Sequence, residues 1–79
     1  KGVTYKVYPN PASDRFTFTS STPLQEAVLS LIDVNGRVVS RFAVNGDSVV
    51  VSVVDMPTGL YKLVLNDENN VFTFSILVK

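Results

Sequence analysis

The 79-residue sequence predicts an all-β fold, an antiparallel sandwich of about seven strands. Three observations lead there. Apolar residues recur with a period of two, as in Arg15-Phe16-Thr17-Phe18-Thr19 and Tyr61-Lys62-Leu63-Val64-Leu65, which buries one face of a strand and wets the other. Turn-forming residues interrupt these runs at short, repeated intervals. No segment is both long enough and periodic enough at 3.6 residues to form a helix.

Strands are expected near 3–8, 14–20, 26–33, 37–44, 48–54, 60–66 and 71–78, each rich in Val, Phe, Tyr, Thr, Leu or Ile. The first ends at Pro9-Asn10-Pro11. Neither proline has an amide hydrogen, and each pushes the residue before it out of the helical region, so the chain bends there. Asn10 and Asp14 supply capping side chains for a bend that lets the first strand leave one sheet and the second enter the other. Asn35-Gly36 tolerates positive φ and reads as a two-residue type I′ hairpin, and Asn45-Gly46 repeats the device. Met56-Pro57-Thr58-Gly59 reads as a turn with Gly59 at positive φ, and Asp67-Glu68-Asn69-Asn70 as a four-residue polar hairpin loop.

The alternation points Phe16, Phe18, Leu29, Leu31, Val49, Val51, Val53, Tyr61, Leu63, Leu65, Phe72, Phe74, Ile76 and Val78 inward. In Val49-Val50-Val51-Ser52-Val53-Val54 both faces are apolar. That run is either a central strand covered on both sides or an exposed aggregation hazard.

Composition narrows the function classes. With 46% hydrophobic and 18% charged residues the chain has the material for one packed core, which argues against disorder. Seven basic and seven acidic residues cancel and form no basic run, so neither nucleic acid nor an anionic membrane surface is an expected partner. No stretch is apolar enough to insert in a membrane, and Lys1-Gly2-Val3-Thr4 is not the start of a signal peptide. Residues 1–79 read as a single domain excised from a longer protein, and composition leaves its compartment open.

Chemistry is sparse. The chain has no His and no Cys, which removes Ser-His-Asp and Cys-His catalysis, disulfides and a structural zinc site. Asp33, Asp55, Asp67 and Glu68 fall at expected strand ends, where carboxylates serve turns rather than acid–base catalysis. Asp33-Val34-Asn35-Gly36 starts like a calcium loop, but Arg37 stands where the third ligand belongs. Tyr5 and Tyr8 are a thin platform for a sugar ring and fit strand packing better. Asp47-Ser48-Val49 matches a short O-glycosylation triplet of the Bacteroidetes. The expectation is a domain with no enzyme activity, no cofactor and no metal.

Four phrases occur in order: Tyr8-Pro9-Asn10-Pro11-Ala12-Ser13-Asp14; Leu31-Ile32-Asp33-Val34-Asn35-Gly36-Arg37-Val38-Val39; Asp55-Met56-Pro57-Thr58-Gly59-Leu60-Tyr61-Lys62-Leu63; and the terminal Leu77-Val78-Lys79. Together they resemble the type A C-terminal sorting domain of the type IX (Por) secretion system of Bacteroidetes, over nearly the whole chain. The resemblance implies an immunoglobulin-like sandwich at the end of a secreted protein. It also implies an N-terminal cargo domain on the same chain, passage through the periplasm, export through the outer-membrane translocon, and removal by a sortase-like protease that leaves the cargo on the cell surface or secreted.

On that resemblance Pro9, Asn10, Pro11, Asp14, Asn35, Gly36, Arg37, Gly59 and Tyr61 are fold determinants. Tyr61 is expected to turn inward with its hydroxyl on a backbone partner, as in a tyrosine corner. Translocon recognition is assigned to the last strand and exposed charges, with Arg37, Arg41, Ser75, Val78 and Lys79 as candidates. Ser75 stands about where the family often carries a lysine. The competing reading is an immunoglobulin-like or fibronectin-like binding or spacer module of an extracellular enzyme.

Overall fold

The computed structural model describes residues 2–68 and 70–79. These form five strands and no helix: β1 (Tyr5–Tyr8), β2 (Arg15–Ile32), β3 (Val38–Ser52), β4 (Gly59–Asp67) and β5 (Asn70–Val78). Every strand pairing is antiparallel. The count falls below seven because β2 and β3 each cover two expected strands.

The two long strands stay paired across a bend. The first half of β2 lies between β1 and the second half of β3, with Phe18 opposite both Val7 and Val49. The second half of β2 lies between the first half of β3 and β4, with Leu29 opposite both Phe42 and Leu65. β5 then adds to β4, with Leu63 opposite Phe74. Two sheets thus share two bent strands, and the corner lies in the register shifts between Thr19 and Ala27.

The gaps between the expected strands, 21–25 and Asn45-Gly46, form this corner instead. Ser20 Oγ donates to the Thr22 carbonyl at 2.6 Å and accepts from the Thr22 amide at 3.3 Å, which satisfies a local turn without breaking the strand. Glu26 has φ 53°, and its amide donates to Asn45 Oδ1 at 3.0 Å, tying the bends of β2 and β3 together. Asn45-Gly46 is therefore no hairpin: Gly46, φ 110°, pairs with Leu24 inside the bent ladder.

Asn35-Gly36 does turn a hairpin, between β2 and β3, but not as type I′. Gly36 has φ 84° and Asn35 does not have positive φ. The Gly36 amide donates to the Asp33 carbonyl at 3.0 Å and the Asp33 amide to the Arg37 carbonyl at 2.9 Å. This is a three-residue loop, a type I turn followed by a left-handed glycine. The Asp33 carboxylate selects it, because Oδ1 accepts from the amides of Asn35 (2.9 Å) and Arg37 (3.0 Å). At the β4–β5 hairpin Asp67 already pairs with Asn70, so the expected four-residue loop shortens to Glu68 and Asn69, of which Asn69 lies outside the described residues. Gly59 is the first residue of β4, opposite Val78, at φ 157°, near extended geometry rather than in a tight turn.

The core lies between the sheets. Phe16, Phe18, Leu29, Leu31, Leu63, Leu65 and Ile76 are fully buried, while Val49, Phe72 and Phe74 are partly buried against them. Tyr5 of one sheet meets Phe72 and Phe74 of the other at ring-centroid distances of 4.7 and 5.9 Å, and Phe18 meets Phe74 at 5.9 Å. Ala12, Leu24, Ala27 and Val44 are also buried, and the alternation does not reveal them. Val50 and Val54 are 60% and 65% exposed, so the Val49–Val54 run is not a strand covered on both faces.

A Cβ at Gly36 would meet no atom within 4 Å, so replacing this residue costs backbone conformation alone. Gly36→Val is expected to lower stability by about 1–3 kcal/mol, and Gly36→Asn by a fraction of that, because asparagine tolerates the left-handed region. Urea unfolding of the two variants checks this. Equal losses would show that something other than φ sets the cost.

Candidate functional site

The C-terminal strand and the Pro-Asn-Pro segment, far apart in sequence, are bonded to each other. After β1, Pro9 and Pro11 carry the chain to the open edge of β5, both X-Pro bonds being cis. Ala12 forms a parallel bridge with Val78: its amide donates to the Leu77 carbonyl and its carbonyl accepts from the Lys79 amide, each at 2.8 Å. Asn10 extends the same ladder with its side chain. Its Nδ2 donates to the Ser75 carbonyl and its Oδ1 accepts from the Leu77 amide, both at 3.1 Å.

The arrangement follows from residue chemistry. Prolines at 9 and 11 have no N–H to offer a strand edge, and the Asn10 carboxamide supplies the donor–acceptor pair that the backbone lacks. Ala12 is fully buried against the edge. The expected change of sheet between the first and second strands does not occur: the bend brings Ala12 alone to the edge of β5. β2 then pairs with β1, so it starts in the sheet that β1 belongs to.

At the β2–β3 turn Arg37 Nε approaches Asp33 Oδ2 at 3.4 Å, with side-chain exposures of 79% and 15%. The backbone amide of Arg37 is the main cause that lowers the Asp33 pKa below 3.8. Desolvation opposes it, and the Asn35 amide and the Arg37 guanidinium assist. Near the start of β4 the Tyr61 hydroxyl donates to the Pro57 carbonyl at 2.6 Å and pins the loop before the strand. The Met56 amide donates to the Val53 carbonyl at 3.0 Å, and the Val53 amide to that of Asp14 at 2.8 Å, which ties the end of β3 to the start of β2.

The recognition candidates do not converge. Arg37 is at the hairpin tip, and Arg41 is exposed on β3. Ser75 is exposed on β5 opposite Lys62, beside a shallow groove of about 550 Å³ that Ile32, Leu60, Val64 and Thr73 also line. Lys79 is exposed at the end, whereas the Val78 side chain is 1% exposed and belongs to the core. Among the described residues no group of three acidic side chains stands together to hold a metal ion. Asn10 as an edge clamp was not readable from sequence, because its partners lie 65 and 67 residues away.

Residues 6–79 match the family model of the secretion system C-terminal sorting domain. The chain belongs to this family. Sorting domains of this kind are type IX secretion signals, and the family is not catalytic. An endo-acting ulvan lyase of Formosa agariphila is 33% identical over 66 residues, which are 82% of this chain and 13% of that enzyme. The chain thus spans 13% of the curated relative it matches, and the Formosa source agrees with the Bacteroidetes origin that the motifs imply. Three of the four phrases that mark the sorting domain hold the fold through side-chain bonds: Asn10 to β5, Asp33 to its turn, and Tyr61 to Pro57.

Two measurements follow. Asn10→Ala is expected to lose about 1–2 kcal/mol in urea unfolding with an unchanged m-value, and Asn10→Asp at least as much, since a carboxylate offers Ser75 no donor. Asp33 has a lowered pKa in the folded state, so its contribution is present above the ordinary carboxylate range and is lost as pH falls through 3.8 toward the folded value. Acid titration of stability should therefore be flatter in Asp33→Asn than in the wild type. An identical profile would contradict the bonding described.

Proposed function

We propose that this sorting domain is an address carried behind an N-terminal cargo. The cargo folds in the periplasm, the type IX translocon recognises the domain and exports the whole across the outer membrane, and a sortase-like protease then removes the domain. The cargo remains on the surface or is released. The observation that carries this reading is the family match over residues 6–79.

Within that reading the translocon recognises the last strand and the exposed charges. The side chains of Arg37, Arg41, Ser75 and Lys79 all face solvent. Val78 acts by holding β5 in place, because its side chain is interior. Processing needs a cut N-terminal to the fold, and β1 does not begin until Tyr5.

A fusion of signal peptide, reporter and this domain should reach the surface of a type IX-competent cell. Changing Arg37, Arg41 and Lys79 together to Ala should hold the reporter in the periplasm while circular dichroism stays native, since surface changes cost within about 0.5 kcal/mol each. Removing residues 75–79 is a poorer test, because Ile76 and Val78 are core residues and Leu77 and Lys79 bond the clamp. Normal export of the folded triple variant would eliminate these charges as the recognised groups. Retention of the intact fusion would overturn the sorting reading for this chain.

A further inference from the structure

β3 is the outer strand of both sheets. It pairs with β2 alone, so along Val38–Ser52 its second edge has no strand partner among the described residues. Of the other edges, β1 is four residues long and runs into Pro9, and the last residues of β5 are covered by Asn10 and Ala12, which leaves β3 the longest open edge. The β3 edge is long and carries exposed apolar side chains, with Val39 and Val50 at 42% and 60% exposure. Such an edge is a template for another strand.

Its sequence says which strand fits. Along β3 the residues at 40, 42, 44 and 46 are less exposed than their neighbours. Asp47 and Ser48 are then both exposed, and the less exposed positions resume at 49 and 51. The outward set is therefore Val39, Arg41, Ala43, Asn45, Asp47, Ser48 and Val50. A second copy laid antiparallel, with the two-fold axis at Val44, keeps every facing pair on one side of the sheet. Ala43 then faces Asn45 of the second copy, Arg41 faces its Asp47-Ser48 step, two residues opposite one as in a bulge, and Val39 faces its Val50.

The charged contact of Arg41 with Asp47 and the apolar contact of Val39 with Val50 are complementary, and each occurs twice by symmetry. Among the described residues neither Arg41 nor Asp47 has an ion-pair partner within the chain, the one such pair being Arg37 with Asp33. Gly46 has open space where a Cβ would stand, and the same register sets Phe42 of the second copy opposite it, the arrangement in which an aromatic ring covers a strand glycine. We propose that two copies of this chain associate through β3 as a symmetric antiparallel pair centred on Val44, joining their sheets across the axis. This goes beyond the sorting reading and does not depend on it.

Sedimentation velocity over a range of concentrations tests the pairing on the full chain. The wild type should show a monomer–dimer equilibrium. Arg41→Asp alone, or Asp47→Arg alone, sets like charges opposite each other twice per dimer and should weaken association by about tenfold or more. Arg41→Asp with Asp47→Arg in one chain restores opposite charges and should restore the dimer, which separates a lost contact from a damaged fold. A wild type still monomeric at about 1 mM, where contacts of this size would register, overturns the proposal. So do single reversals that associate like the wild type, or a double exchange that fails to recover.

Discussion

The bonds between residues 10–12 and the end of β5 are the constraint on which the closed form of this domain depends. Without them the strand that completes the fold would present a bare row of amides and carbonyls over its last residues, and the buried Ala12 would lose its seat. The clamp is economical: one backbone bridge at Ala12 and one side-chain amide at Asn10 satisfy three groups of β5 and the amide of Lys79. It also joins the two ends of the sequence. Closing a loop of this length costs entropy whichever bond forms first, so these bonds are stable only when the aromatic contacts of Tyr5, Phe18, Phe72 and Phe74 already hold the sheets together.

Much of the fold was legible because the local code for strands is strong. Period-two runs gave the inward residues of β2, β4 and β5, and Gly36 marked a hairpin. The merged strands have one cause: a bend within a strand and a turn between strands use the same residues. Asn45 and Gly46 look like loop punctuation and residues 21–25 fall between two expected strands, yet β2 and β3 remain paired across them because each bent strand satisfies the other, as the Glu26–Asn45 bond shows. The hairpin at Gly36 was placed correctly but assigned the wrong turn. The deciding group is the Asp33 carboxylate, a side-chain preference that the Asn-Gly dipeptide does not carry.

The site was legible as a set of motifs and not as an arrangement. Pro-Asn-Pro reads locally as a bend, and only the tertiary fold reveals that Asn10 is an honorary strand residue. Asp33 and Tyr61 likewise bond within four residues of themselves and stabilise the loops that begin β3 and β4. Each of these three bonding side chains belongs to one of the family phrases. What a partner meets is different: Arg37, Arg41, Ser75 and Lys79 lie on different strands and loops, so a partner reading them would read the folded surface rather than a linear peptide. With no His and no Cys, and with a single ion pair among the described residues at the β2–β3 turn, the domain presents mainly backbone edges and exposed side chains to a partner.

Native-state hydrogen exchange tests the central claim most directly, because it reports each amide of the clamp separately. The amides of Ala12, Leu77 and Lys79, which are bonded across this edge, are expected to exchange as slowly as those of Leu63 and Leu65 in the middle of β4, through opening of the whole domain. Fast exchange at Ala12, Leu77 and Lys79 while Leu63 and Leu65 remain protected would contradict the account, since the last strand would then be held by β4 alone.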